Sequence, residues 1–219
     1  MITLSFERTG NGIYIAHTDV LRSLNRSMRR AGIDMNFSKG YNKHMALKLT
    51  QPLPLGIASE DEYVSCDVAC DLTSEEFFEK MKICFPPFLT PKKAFYTTNN
   101  PNLAAKVVAS DYEIECEKAA EYKEEIERLK CGFTTIIERE GKKTEKDYAG
   151  YVYSVMVENG KIHCRFSFGS KNLRADVFCK YLNEKFGLVI PFSAIVRKKQ
   201  LVQTENGLVP AAEYLEKLE

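Results

Sequence analysis

No stretch of this 219-residue chain is apolar for the ~18 residues that would cross a bilayer, so no transmembrane helix is expected. The opening MITLSFERTG lacks a basic segment followed by an apolar core, so no secretory signal is expected either. Nowhere do two cysteines stand in a C-x-x-C pair. Cys66 and Cys70 lie four apart on one strand face, but Thr73 stands where a cluster-binding spacing would need a third thiol. No iron–sulfur, zinc or other metal site is therefore expected in this chain. The odd count of seven, completed by Cys84, Cys116, Cys131, Cys164 and Cys179, fits free thiols in a reducing cytoplasm. The phosphate-cradling G-x-x-x-x-G-K and G-x-G-x-x-G patterns are also missing, which removes the common nucleotide-enzyme readings, and no cofactor is expected. Nor does one sign of charge dominate: 31 Lys and Arg against 30 Asp and Glu leave a formal +1. Any nucleic-acid signal must come from local clustering.

What is present is a segment of unusual density. Residues 36–63 read NFSKGYNKHMALKLTQPLPLGIASEDEY, with Gly40, Asn42, His44, Pro52, Pro54 and Gly56 close together. Glycine serves positive φ or close backbone approach, and proline fixes φ and removes a donor. Such a segment has a specified shape.

Around it, hydrophobic periodicity gives an element order. Ile2 to Arg8 alternates as a strand. Val20, Leu21, Leu24, Met28 and Ala31 recur at helical spacing, with Thr18 as cap, Asp19 in the first turn and Gly32 past the end. Strands are expected over 45–50, 63–71 and 92–98, with a helix capped by Thr73 or Ser74 before the last. This is β-α-β-β-α-β, the ferredoxin-like order. After a linker at 99–102 the order repeats: strand 111–117, charged helix 119–130, strand 133–138, and a hairpin of 151–158 with 161–168 about Asn159-Gly160. A helix over 174–186, a strand over 192–201 and a polar tail complete it, with a long loop expected at 141–150. The expectation is an α+β protein of two tandem ferredoxin-like halves with antiparallel sheets, residues 1–100 and 101–219.

Three constellations could carry chemistry. Arg22, Arg26, Arg29 and Arg30 form a stripe opposite the apolar face of the first helix, and arginine forks match phosphates; a solvated helix face is the plain alternative. His17 and His44 flank that helix and the special segment. Were they to meet, they could share proton transfer at a phosphodiester; capping and structural roles are the plain alternative. Lys161, His163 and Arg165 alternate with apolar residues on one strand, extendable by Arg197, Lys198 and Lys199, with Tyr151 and Tyr153 as stacking candidates.

Several local motifs together resemble the bacterial radical-SAM-linked family. They are Ala16-His17-Thr18-Asp19, Arg29-Arg30-Ala31-Gly32, Ser38-Lys39-Gly40-Tyr41-Asn42-Lys43-His44 and Leu53-Pro54-Leu55-Gly56, with Ser59 and Glu62-Tyr63. The resemblance extends over nearly the whole chain and is strongest over 1–70. The family pattern has Ser-His-Leu-Asp at 16–19 and Asn-Pro-His-Pro at 42–45; here Lys43 and Met45 replace the two prolines. The resemblance implies a radical SAM partner that carries the iron–sulfur chemistry. Combined with the arginine stripe, it gives the leading expectation: a non-catalytic, RNA-binding accessory module using Arg22, Arg26, Arg29, Arg30, Lys39, Gly40, Asn42, His44 and Gly56. The alternatives are a metal-independent ribonuclease-like enzyme using His17 and His44, and a protein-interaction scaffold.

Overall fold

Strand β1 (Ile2–Arg8) is buried on both faces, and the faces differ in kind. Ile2, Leu4 and Phe6 enter an apolar core. On the other side the Thr3 and Ser65 hydroxyls share a hydrogen bond of 3.0 Å, and the Ser5 hydroxyl donates to the Lys93 carbonyl at 3.0 Å. Small polar side chains that bond to neighbouring strands can be buried at little cost. The computed structural model describes every residue except Gly40, Glu140 and Ser170.

Helix α1 (His17–Arg30) follows a 3-10 turn at 10–14. It opens at His17 with Ala16 at the N-cap, so the cap expected of Thr18 is not made; Thr18 already lies inside the first turn. Gly32 ends it at φ +63° as expected. Val20, Leu24 and Met28 are buried, each contributing ~1.5–3 kcal/mol of apolar burial.

Strand β2 (Leu47–Leu49) is short, and β3 (Ala58–Cys66) starts five residues before the position expected from apolar pattern. The reason is electrostatic. Glu60, Asp61 and Glu62 read as loop residues, yet each has a partner on β10, described below. Helix α2 (Ser74–Cys84) carries a complete capping box: Thr73 Oγ1 accepts from the Glu76 amide at 3.1 Å and the Glu76 carboxylate accepts from the Thr73 amide at 3.0 Å. Strand β4 (Thr90–Tyr96) and the one-turn α3 (Leu103–Lys106) lead to β5 (Val107–Glu115).

The single charged helix expected over 119–130 is instead a 3-10 turn (117–122), α4 (Lys123–Arg128) and a second 3-10 turn (129–131). The loop expected at 141–150 is mostly strand: β6 (Thr134–Arg139) pairs antiparallel with β7 (Lys142–Asp147) as a separate hairpin. Its sequence KKTEKD has no apolar period to reveal it. Strands β8 (Val152–Glu158) and β9 (Lys161–Ser167) form the expected hairpin, with Asn159 at φ +51° and Gly160 at φ +73°. Helix α5 (Ala175–Phe186) ends at Gly187, φ +66°. Strand β10 (Ile195–Thr204) is not followed by a tail. β11 (Gly207–Pro210) folds back on it, and α6 (Ala211–Glu216) buries Ala211 and Leu215.

The result is a mixed α/β protein with six helices among the described residues and a nine-stranded, mostly antiparallel sheet. The strand order is β4-β1-β3-β10-β5-β9-β8, with β2 also on β3 and β11 also on β10. The one parallel junction is β3 with β10, where Ala58 faces Val196 and Ser59 faces Arg197. Helices α1 and α2 cover β1 and β3; α4 and α5 cover β5, β8 and β9. Residues two apart on a strand share a face, so Glu62 shares the α1-covered face of Val64. On the opposite side α3 and α6 cover Tyr63, Phe95 and Val202.

Leu215→Ala should therefore destabilise the protein by about 2–5 kcal/mol, as for a buried leucine. A chemical-denaturation midpoint unchanged from the parent would mean that α6 adds nothing to the core.

Candidate functional site

The segment after α1 is built by backbone bonds. The Asn36 amide donates to the Asp67 carbonyl at 2.8 Å, and the Ala46 amide donates to the Asn36 carbonyl at 2.9 Å. Ser38 then closes the tip: its amide donates to the His44 carbonyl at 2.8 Å, and its hydroxyl accepts from the His44 amide at 3.0 Å. This tie carries Lys43, His44 and Met45 against the outer face of α1.

There the chain lines a cleft of about 350 Å³ with Arg22, Arg26 and Arg29 on one wall and Lys43, His44 and Met45 on the other. Asn25, also in the wall, donates to the Leu21 carbonyl at 3.0 Å. Asp19 pairs with Arg22 at 3.0 Å, both largely exposed, a contact worth well under ~1 kcal/mol. Among the described residues no acid pairs with Arg26, Arg29, Lys39 or Lys43. Tyr41 at the loop tip is fully exposed and Phe37 at its base is 49% exposed. The arrangement offers guanidinium forks, an ammonium and an imidazole to an anion, with exposed rings nearby.

Two of the expected site residues have other work. The Arg30 guanidinium donates to the Ser27 hydroxyl at 3.0 Å and to the Cys84 carbonyl at 2.8 Å, tying α1 to the end of α2. Gly56 adopts φ +86° and donates its amide to the Ile13 carbonyl at 2.9 Å; a Cβ there would stand 3.1 Å from the Phe192 Cβ. Its glycine is a backbone requirement. Lys39 and Asn42 are exposed on the 38–44 loop. Gly40 lies outside the described residues.

The basic strand face is mostly paired, with Lys199 left exposed and without an acid partner among the described residues. Lys161 pairs with Glu113 at 2.9 Å, His163 lies 3.9 Å from the same carboxylate, and Arg165 is held by Asp111 at 2.6 Å and 3.0 Å. Lys198 pairs with Glu60, and Arg197 is fully buried. The acids sit on β5 and β3, and sequence spacing could not have matched them across the sheet.

His17 and His44 occupy different settings. His17 is the first residue of α1, half-buried and within electrostatic reach of Glu62 and Arg8. Arg8 donates to the carbonyls of Gly12 (2.9 Å), Ile13 (3.2 Å) and Ile15 (2.6 Å), fixing the turn that leads into His17. No hydrogen bond joins the two imidazoles among the described residues. Sequence reasoning also missed the group beside His17. Arg197 Nη1 donates to Glu62 Oε1 at 2.8 Å and its Nε to the Tyr112 hydroxyl at 3.4 Å. Burial pulls the Arg197 pKa down, but Tyr112 and Glu62 outweigh it and leave it raised.

Burial, aided by the charge of Arg8 and opposed by Glu62, holds the His17 imidazole below its ordinary value of 6.5. A depressed folded pKa gives stability that is full above the unfolded value and lost as pH falls from there through the folded one. The thermal midpoint should therefore fall as the solution is acidified below pH ~6.5. His17→Gln should flatten that decline; an identical decline in the variant would remove His17 as its source.

A solved structure described as an unknown protein from Galdieria sulphuraria is 7% identical, with 90% of this chain and 96% of that chain covered at a TM-score of 0.29. No curated protein matches this chain. A family model does match, over residues 1–181, a span that holds α1, the 38–44 loop and the Leu53-Pro54-Leu55-Gly56 turn. The chain belongs to that family, the uncharacterized proteins conserved in bacteria designated DUF2344.

Proposed function

We propose that the protein binds single-stranded RNA in the α1 cleft, as a non-catalytic accessory module acting with a radical SAM partner. The observation that carries the RNA part is the uneven use of cations. On the sheet, Lys161, Arg165, Arg197 and Lys198 each have a carboxylate partner. Around the cleft, Arg26, Arg29 and Lys43 have none among the described residues, and Tyr41 and Phe37 expose rings beside them. Unpaired cations with interleaved aromatics suit a flexible phosphate backbone with unstacked bases. The partner rests on the motif resemblance alone.

The strand order supports reading the chain as two ferredoxin-like halves. In chain order each half runs β-α-β-β-α-β, with β6 and β7 inserted in the second. The spatial orders β4-β1-β3-β2 and β10-β5-β9-β8 are the same arrangement twice. On this reading the halves meet at the β3–β10 junction. The ribonuclease alternative needs His17 and His44 to act together, and the Arg8–Glu62 surroundings of His17 favour a structural role for it. The scaffold alternative draws on Tyr14, Leu55 and Phe192, which are exposed around the Gly56 turn.

Binding of labelled small RNA should weaken with salt at a log–log slope near −2 to −3, for about three or four neutralised phosphates on a single strand. Arg22→Glu with Arg26→Glu should cost at least tenfold in affinity for all sequences alike; unchanged affinity would overturn the assignment. Co-expressed with a radical SAM protein of the kind the resemblance implies, the chain should elute as a complex in gel filtration. Separate elution would remove the partner from the proposal.

A further inference from the structure

The loop that holds Leu53 and Pro54 also walls a cavity far from the α1 stripe in sequence. It encloses about 290 Å³ at the junction of β3, β10 and β5, and Leu53, Pro54, Ile57, Tyr112, Phe168 and Arg197 line it. Nothing in the RNA reading uses it. Its volume is at the small end for ligand pockets, enough for one heterocycle and too little for an oligonucleotide.

The polar groups in its wall are incompletely used. Arg197 spends Nε on Tyr112 and Nη1 on Glu62, and its remaining N–H groups have no acceptor among the described residues. A ligand in the cavity could accept from them. Across the cavity, Asn172 Oδ1 is buried with no hydrogen-bond partner among the described residues. Ala175 lines the same space, at the start of α5, whose N-cap Arg174 provides no side-chain cap. The wall thus presents donors and, separately, one orphan acceptor.

Charge decides what kind of molecule fits. Arg197 is balanced by Glu62 at 2.8 Å, and Arg174 by both Asp176 oxygens at 2.9 Å and 2.6 Å. Each cation already has its own carboxylate outside the cavity lining, so neither calls for an anion inside it. A neutral molecule is preferred. It must accept from Arg197 or the α5 amides, donate to Asn172, and lie flat against the prolyl and aromatic wall. We propose that this cavity binds a nucleobase, free or as a nucleoside. Asn172 and Arg174 also line a neighbouring cleft of about 530 Å³ between β6 and α5, which gives the sugar a way out. The site is distinct from the α1 cleft and stands whether or not that cleft binds RNA.

The test uses the full chain, titrated by calorimetry with adenosine, guanosine, cytidine and uridine in turn, and with ribose 5-phosphate as the anionic control. The expected result is saturable binding of at least one nucleoside, little changed by salt, with none of ribose 5-phosphate. Asn172→Leu, which removes the acceptor, should weaken that binding at least tenfold. Asn172→Asp, which keeps an acceptor there, should hold it within about threefold and guards against a folding defect at this position. Arg22→Glu with Arg26→Glu should leave it unchanged, so that loss of the RNA reading and loss of this one are separable. Absence of saturable binding by all four nucleosides, equal binding by Asn172→Leu, or binding of ribose 5-phosphate in place of a nucleoside would overturn the proposal.

Discussion

The Arg197–Glu62 pair is the interaction on which the rest of the arrangement depends. Both side chains are buried, at 1% and 9% exposure, and they join β10 to β3 across the one parallel pairing among the described residues. That pairing is short, just Ala58 with Val196 and Ser59 with Arg197, because β2 and β11 take the rest of each strand's edge. So brief a junction has few backbone bonds to define its register. The side chains do that work. Glu60 holds Lys198, Asp61 accepts from the Gln200 amide at 2.7 Å, and Glu62 holds Arg197. A slip of one residue would strand buried charges, at several kcal/mol for each unpaired ion.

Asp61 shows how closely these groups are fitted. Burial raises its pKa, while hydrogen bonds from the Tyr63 hydroxyl, at 2.6 Å, and from the Gln200 amide favour the carboxylate. Tyr63 itself is held up by burial and by Asp61. The side chain that satisfies the acid also joins the apolar layer under α6, so polar register and apolar core are set together.

Local chemistry was legible in the sequence where one residue type decides the geometry. Gly32 and Gly187 end helices at positive φ, Asn159-Gly160 turns the hairpin, and Thr73, one of the two expected caps, caps α2; the Glu76 half of its capping box was not foreseen. Hydrophobic period gave α1 and its arginine stripe. What failed to show was anything decided by a partner far along the chain. Glu60 to Glu62 concealed the start of β3 because their partners, Lys198, the Gln200 amide and Arg197, lie 135 to 139 residues away. The polar β7 shows no pattern until β6 lies beside it, and α6 has only two fully buried residues, Ala211 and Leu215, among the described residues. The same limit applies to the candidate site. Periodicity placed Arg22, Arg26 and Arg29 on one face, but not Lys43 and His44 against them, and it could not show that Arg30 is tied to α2.

The allocation of charge also bears on whether the α1 stripe is more than a solvated face. Like charges three or four residues apart on a helix, with Cβ atoms ~5–6 Å apart, destabilise it by about 0.2–0.5 kcal/mol per pair. A helix under no other demand relieves this with interleaved acids, and this chain has nearly as many acids as bases. They are placed elsewhere: opposite Lys161, Arg165 and Lys198 on the sheet. Around α1 the repulsion is kept, and the Ser38–His44 tie adds Lys43 to it. The backbone of that wall is fixed by its own hydrogen bonds before any ligand arrives. On the proposed reading, a cleft whose cations already lie on facing walls would save a ligand the cost of gathering them.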